Sequence, residues 1–224
     1  MNIGTLSSAR RVIALDLPGH GRSSKSVGTG GLTELARGLF ALLDQLEIDK
    51  AHLVGHSMGG ALAMHVAREH RARVQSLTLA APLGLGENID RDFIESFVTA
   101  QSRRELQRVV GKLFRDKSLI GAEMLEGLQR YKRIDGVSEA LATIAGALFS
   151  GGRQQVRFDP NMLDGIPTLV IWGSADEVLD SSQAPAPRAN LRVEIFDDVG
   201  HVPHLEAAGT FNRLVAEHVA ASER

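Results

Sequence analysis

The sequence contains no cysteine among its 224 residues, which excludes disulfides, thiolate zinc sites and a cysteine nucleophile together. It also has no excess of one charge. Its 25 Lys and Arg stand against 27 Asp and Glu, a formal net charge of -2, and that balance gives no electrostatic case for nucleic acid. Long apolar runs are missing, so no stretch reaches the length of a membrane-spanning helix. The segment Met1 to Arg11 is polar and small and lacks the apolar centre of a signal peptide. A cytoplasmic protein with neither a membrane nor nucleic acid as partner is therefore the expectation. Internal repeats and low-complexity tracts are absent as well. The length suits one domain, or one domain carrying an insertion, with enough residues for a substantial core.

Against this background the segment Gly55-His56-Ser57-Met58-Gly59-Gly60 stands out. It follows the apolar run Ala51 to Val54 and opens a helix-patterned stretch, Ala61 to His70, which is the strand, sharp turn and helix context of a Gly-x-Ser-x-Gly nucleophile elbow. Such a turn forces the serine into strained dihedrals, and side chains on the flanking Gly55 and Gly59 are expected to collide. A serine hydroxyl is a poor nucleophile at neutral pH, so it needs a base within hydrogen-bond reach and an acid to orient that base. Both types occur downstream. Thr168 to Gly173 reads as a buried strand with Asp176 three residues past its end, and Val193 to Phe196 reads as another, followed after Asp197-Asp198-Val199-Gly200 by His201. Nucleophile, acid and base in the order Ser57, Asp176, His201 follow the chain order of α/β-hydrolases rather than of the chymotrypsin or subtilisin types.

The Met58 backbone N–H is the expected oxyanion donor. His56, Gly55 and Gly59 of the elbow and His204 are read as pocket or supporting residues, with the alternative that His204 replaces His201 as base. Glu177 and Asp180 are alternatives to Asp176, which fits the Trp-Gly-x-x-Asp spacing best. The remaining histidines are scattered without a metal-ligand cluster, and a serine triad requires no cofactor.

Strand and helix patterns alternate along the chain, so an α/β fold with a mostly parallel sheet covered on both faces is expected. Val12 to Leu17 reads as a strand ended by Pro18-Gly19-His20-Gly21. Thr33 reads as the cap of a helix that carries Leu35, Leu39, Leu42, Leu43 and Leu46 at helical spacing. Val74 to Ala80 reads as a strand, and Phe211, Leu214, Val215 and Val219 mark a closing helix. Between Leu83 and Ile166 no strand is expected, and Asp92 to Val98, Glu105 to Phe114, Ala122 to Tyr131 and Ser138 to Phe149 read as four helices. The chain thus divides into a core, residues 1–82 and 167–224, and a helical cap, residues 83–166, set over the carboxyl ends of the strands where it shapes the substrate pocket. Arg103, Arg104, Arg108, Lys112 and Arg115 form a basic stretch in the cap, either a solvated helix face or a place for phosphates.

Several of these segments carry a resemblance. Arg11 to Gly21 with Ser23-Ser24-Lys25, Ala51 to Gly60, Tyr131-Lys132-Arg133 with Gly136-Val137, Gly151 to Val156, and Ile171-Trp172-Gly173 with Asp176 resemble one subgroup of the α/β-hydrolase superfamily. That subgroup is the hydrolase-like catalytic domain of the dihydrolipoamide acetyltransferase component of acetoin dehydrogenase complexes. The resemblance implies acetyl transfer from a lipoyl thioester, with coenzyme A as acyl acceptor and with acetoin dehydrogenase complex subunits and a second copy of the chain as partners. The residues alone imply acyl transfer from a small-molecule ester or thioester, to water or to a thiol. A silent binding subunit and carbon–carbon bond hydrolysis on the same triad are the alternatives.

The sequence also departs from the family pattern. Members begin with further strands, one of them ending in a His-Gly turn that supplies a second oxyanion donor, and that segment has no counterpart here. Either the sequence given starts late, or the sheet is rearranged or borrows a strand. The lipoyl domain is likewise without a counterpart. Lys50, in Glu47-Ile48-Asp49-Lys50-Ala51, resembles a lipoylated lysine locally but lies between a helix and a strand rather than at a hairpin tip.

Overall fold

Four strands pair in parallel in a computed structural model that describes residues 1–223. In chain order the elements are α1 (Asn2–Leu6), α2 (Leu32–Gln45), β1 (Ala51–His56), α3 (Met58–Glu69), β2 (Val74–Ala80), α4 (Arg91–Thr99), α5 (Arg103–Val110), α6 (Ala122–Lys132), α7 (Val137–Leu148), β3 (Phe149–Ser150), β4 (Arg153–Gln154), β5 (Thr168–Gly173), β6 (Leu191–Phe196), α8 (Pro203–Glu206) and α9 (Ala208–Ala221). The main sheet has the order β1-β2-β5-β6. Its central strands read as continuous apolar runs because both faces are covered. On one face Leu35, Leu39 and Leu43 of α2 and the small-residue face of α3 pack against Leu77, Leu79 and Val170. On the other, Phe211, Leu214, Val215 and Val219 of α9 pack against Leu169 and Ile171, with Leu6 of α1 at the margin.

Four helices, α4 to α7, stand between β2 and β5 as the periodicity predicts, and they build a cluster of their own around Leu106, Val110, Phe114 and Leu125 that reaches Val202. Their attachments run to loops beyond the carboxyl ends of β5 and β6: Asp90 N–H donates to Val178 O (3.0 Å) and His201 N–H to Leu113 O (2.9 Å). The expectation that residues 83–166 hold no strand needs correction. Gly151 and Gly152, both at positive φ, let the chain reverse between β3 and β4, a two-residue antiparallel pair.

Two further expectations fail for identifiable reasons. Residues 12–17 form no strand. β1 is the edge of the sheet and pairs only with β2; residues 12–17 make no main-chain ladder with its open side, and Ile13 (38%), Leu15 (37%) and Val54 of the edge strand (50%) are left exposed. Thr33 is not the cap of α2. The helix begins at Leu32 after Gly31, and the Thr33 hydroxyl instead lies 3.3 Å from His65 Nε2.

Leu35 has no exposed surface, so Leu35→Ala removes a filled volume between α2 and α3. The expected loss is about 3 kcal/mol, read as a lower urea midpoint with an unchanged slope.

Candidate active site

Ser57 joins β1 to α3 at φ 52° and ψ -116°, a conformation that L-residues rarely adopt. Main-chain hydrogen bonds hold it there. Its N–H donates to Ala80 O (2.9 Å), and its carbonyl accepts from Gly60 (2.9 Å), Ala61 (3.2 Å) and Leu83 (3.0 Å). The tightness of the turn falls on two glycines. A Cβ on Gly55 would lie 2.3 Å from Gly59 O, and one on Gly60 would lie 2.7 Å from Pro82 Cβ. Gly59 was expected to be crowded and is not: a Cβ there meets nothing within 4 Å. Met58 is the first residue of α3, so its N–H has no acceptor within the helix.

Asp176 lies in the loop after β5, with its side chain fully buried. Its Oδ1 accepts from Val178 N–H (2.8 Å) and Leu179 N–H (2.9 Å), and its Oδ2 accepts from Trp172 Nε1 (3.0 Å). The fourth partner is His201 Nδ1, 2.7 Å from Oδ2, on an imidazole with 2% of its surface exposed. An ionised carboxylate only accepts, so this bond places a proton on Nδ1 and leaves the Nε2 lone pair free, the form a general base needs. The main chain of His201 is held on both sides, its N–H by Leu113 O (2.9 Å) and its carbonyl by His56 Nε2 (2.7 Å).

The structure therefore brings Asp176 and His201 into direct contact, and His56, the residue before Ser57, bonds the His201 carbonyl. Among the described residues no hydrogen bond joins Ser57 Oγ to His201. Glu177 is exposed, and Asp180 caps the turn Ser181–Gln183 through Ser182 N–H (2.7 Å). His204 bonds no carboxylate. Its ring stands 4.6 Å from that of His56, and its Nδ1 is buried without a partner. Burial, reinforced by the neighbouring His201, pushes His204 down to about 4 and His56 well below the ordinary histidine value. Burial thus favours the neutral form of both imidazoles, so that neither sets a charge beside His201.

Sequence reasoning missed two contributors. Trp172 enters the sequence reading through its strand and the Trp-Gly-x-x-Asp spacing without a role for its side chain, although its place four residues before Asp176 is the signal that its indole N–H can turn onto the carboxylate. The carbonyl of Leu113, 88 positions from His201, leaves no local signature, whereas His56, expected as a supporting residue, is found bonding the His201 carbonyl. The basic stretch is largely neutralised within the chain: Arg103 pairs with Glu126 (3.4 Å), Arg115 with Asp198 (2.6 Å) and Lys112 with Asp90. Two shallow depressions, one lined by Lys50, Arg71 and Pro167 and the other by Asp44, Glu47 and Arg73, lie at the amino ends of the strands, opposite Ser57. Among the described residues no three His, Cys, Asp or Glu side chains group as metal ligands, and no helix is long and apolar enough to cross a membrane.

Residues 3–208 match the model of the alpha/beta hydrolase fold family. The chain is 41% identical over 219 residues to the dihydrolipoyllysine-residue acetyltransferase component of the acetoin cleaving system of Cupriavidus necator, covering 97% of this chain and 59% of that relative. It spans less than two thirds of that relative's length. It is 31% identical over 233 residues to a 2-hydroxy-6-oxo-6-phenylhexa-2,4-dienoate hydrolase of Burkholderia cepacia, covering 98% of this chain and 80% of the relative. In three dimensions it is similar to the meta-cleavage product hydrolase of Pseudomonas fluorescens, with a TM-score of 0.87 at 23% identity over 99% of this chain and 84% of the other.

A histidine whose native pKa lies below its unfolded value takes up its proton first in the unfolded chain, so stability is lost as pH falls from about 6.5 towards about 4 for His204. For His204 this removes about 2 kcal/mol between pH 7 and pH 5. In urea unfolding at those two pH values, His204→Phe is expected to shrink the wild-type difference by about that amount; an unchanged difference would mean that His204 is not held neutral.

Proposed function

The chain belongs to the α/β-hydrolase family, and from that premise we propose that it is an acyl-transfer enzyme in which Ser57 is the nucleophile, His201 the general base and Asp176 the acid that holds the base. The observation that carries this reading is the buried Asp176–His201 bond at 2.7 Å, with the His201 carbonyl bonded by His56, the residue before a serine at positive φ. His201 Nε2 takes the Ser57 proton as the hydroxyl oxygen attacks the carbonyl carbon of a small ester or thioester. The oxyanion that forms is met by Met58 N–H at the amino end of α3. Collapse of the tetrahedral adduct breaks the bond to the leaving group, which takes the proton back from His201, and an acyl-serine remains. A second nucleophile, again deprotonated by His201, releases the acyl group and regenerates Ser57.

The second nucleophile we propose is a thiol of the coenzyme A type, with an acetylated dihydrolipoyl group as donor and other subunits of an acetoin cleaving system as partners. The similarity to the Cupriavidus necator acetyltransferase component supports this choice. Residues 83–166 act as a cap that limits the access of water, because their main chain bonds the loops of Asp90–Val178 and Leu113–His201 over the site. Arg104 and Arg108, exposed on α5, are where the phosphates of such an acceptor would be met. The named activity of the Burkholderia cepacia relative supports a second reading, carbon–carbon bond hydrolysis on the same residues.

With p-nitrophenyl acetate, a burst followed by turnover is expected, and Ser57→Ala should lower kcat by about a thousandfold or more. With S-acetyl-dihydrolipoamide and coenzyme A, acetyl-coenzyme A should form faster than acetate. Turnover retained by Ser57→Ala removes the acyl-serine reading. Acetate alone makes the protein a hydrolase, and a 2-hydroxy-6-oxo-dienoate turned over faster than any ester would favour the second reading.

A further inference from the structure

Glu206, the last residue of α8, lies partly buried five positions past His201, and the reaction as described makes no use of it. Its two carboxylate oxygens face different parts of the molecule. Oε1 accepts from Gly200 N–H (2.7 Å), in the loop that carries His201. Oε2 accepts from Arg115 N–H (2.9 Å) and Asp116 N–H (2.8 Å), in the cap segment after α5. The same two stretches meet again where His201 N–H donates to Leu113 O, and where the Arg115 side chain pairs with Asp198. They are so close that a Cβ on Gly200 would lie 2.7 Å from Leu113 O and 2.8 Å from Arg115 N.

We propose that Glu206 is a positioning residue that clamps residues 113–116 of the cap to the 199–201 loop, so that His201 is aligned with Ser57 only while the cap is seated. A carboxylate suits this place because each oxygen must accept. N–H groups face it on both sides, and hydrogen bonds to a charged acceptor are about twice as strong as neutral ones. A glutamine offers one oxygen and one NH2, so in either flip it meets an N–H with an N–H and loses one arm of the clamp. An aspartate is one methylene shorter and does not span both segments from the end of α8. The consequence for the chemistry is that the cap reports its position to the base through main-chain bonds: lifting residues 113–116 pulls on the His201 N–H itself. An acceptor or a protein partner that binds the cap would thereby set the activity of the site below it. This inference rests on the assignment of His201 as base under the proposed function.

The test compares wild type, Glu206→Gln, Glu206→Asp and Ser57→Ala by amide hydrogen exchange and by p-nitrophenyl acetate kinetics. In Glu206→Gln the amides of 113–116 and 199–201 are expected to exchange together about tenfold faster, while those of β2 and β5 keep their protection. The kcat value should fall about 10- to 100-fold with KM within about twofold of wild type, as a misplaced base rather than a lost binding contact requires. Glu206→Asp should behave like Glu206→Gln. Unchanged exchange in both segments, faster exchange in one of them alone, or faster exchange with wild-type kcat would each overturn the inference. If β2 and β5 also lose protection, the residue is merely structural and the inference fails. Activity surviving in Ser57→Ala removes the acyl-serine reading instead, and the clamp is then decided by the exchange data alone.

Discussion

A carboxylate with no exposed side-chain surface has to be met by donors, and the four that meet Asp176 organise the functional end of the molecule. They come from three sources: the indole at the end of β5, the two amides of the loop itself, and the imidazole carried by the loop after β6. The last of these is available because β5 and β6 are parallel neighbours in register from Thr168↔Leu191 to Gly173↔Phe196, which brings their outgoing loops side by side. The pairing even continues past the strands, with Ser174 N–H donating to Phe196 O and Ala175 N–H to Val199 O, both at 2.9 Å. Sheet register thus becomes side-chain geometry without any intermediate element.

The histidine end of this arrangement is held mainly through its backbone. His56 from β1 takes its carbonyl, Leu113 from the inserted helices takes its N–H, and Glu206 takes the preceding amide. Each holds the loop from a different direction, and each belongs to a different part of the chain. Fixing a loop this way leaves the imidazole free to carry a proton while its main chain stays in place, and the neutral rings of His56 and His204 add no opposing charge.

Much of this was legible in the sequence, for physical reasons that also mark the limits. β2 and β5 read as strands because burial on both faces makes them continuous apolar runs, and α9 reads as a helix because its four large apolar residues share one face. The elbow and the short offsets of Asp176 from the end of β5 and of His201 from the end of β6 are local patterns, so they survive in one dimension. Residues 12–17 have the composition of a strand, but being a strand is a property of a pair, and they pair with no described strand. Thr33 has the chemistry of a cap, yet the helix starts before it, after a glycine. Gly59 fits the motif while the steric demand falls on Gly60. The roles of His56 and Glu206 depend on contacts between residues 145 and 91 positions apart, and nothing in the nearby sequence announces them.

The edge of β1 affects how the chain behaves in bulk. A parallel sheet normally ends on strands that are short, charged or covered, because an open edge is a ready template for another backbone. Here the edge strand presents Val54 half exposed, and Ile13 and Leu15 of the unpaired segment add to the apolar surface. None of the three carries a charge that would repel a foreign strand. An edge of this kind offers a foreign backbone an uncharged apolar place to pair, on a part of the chain separate from the Asp176–His201 contact.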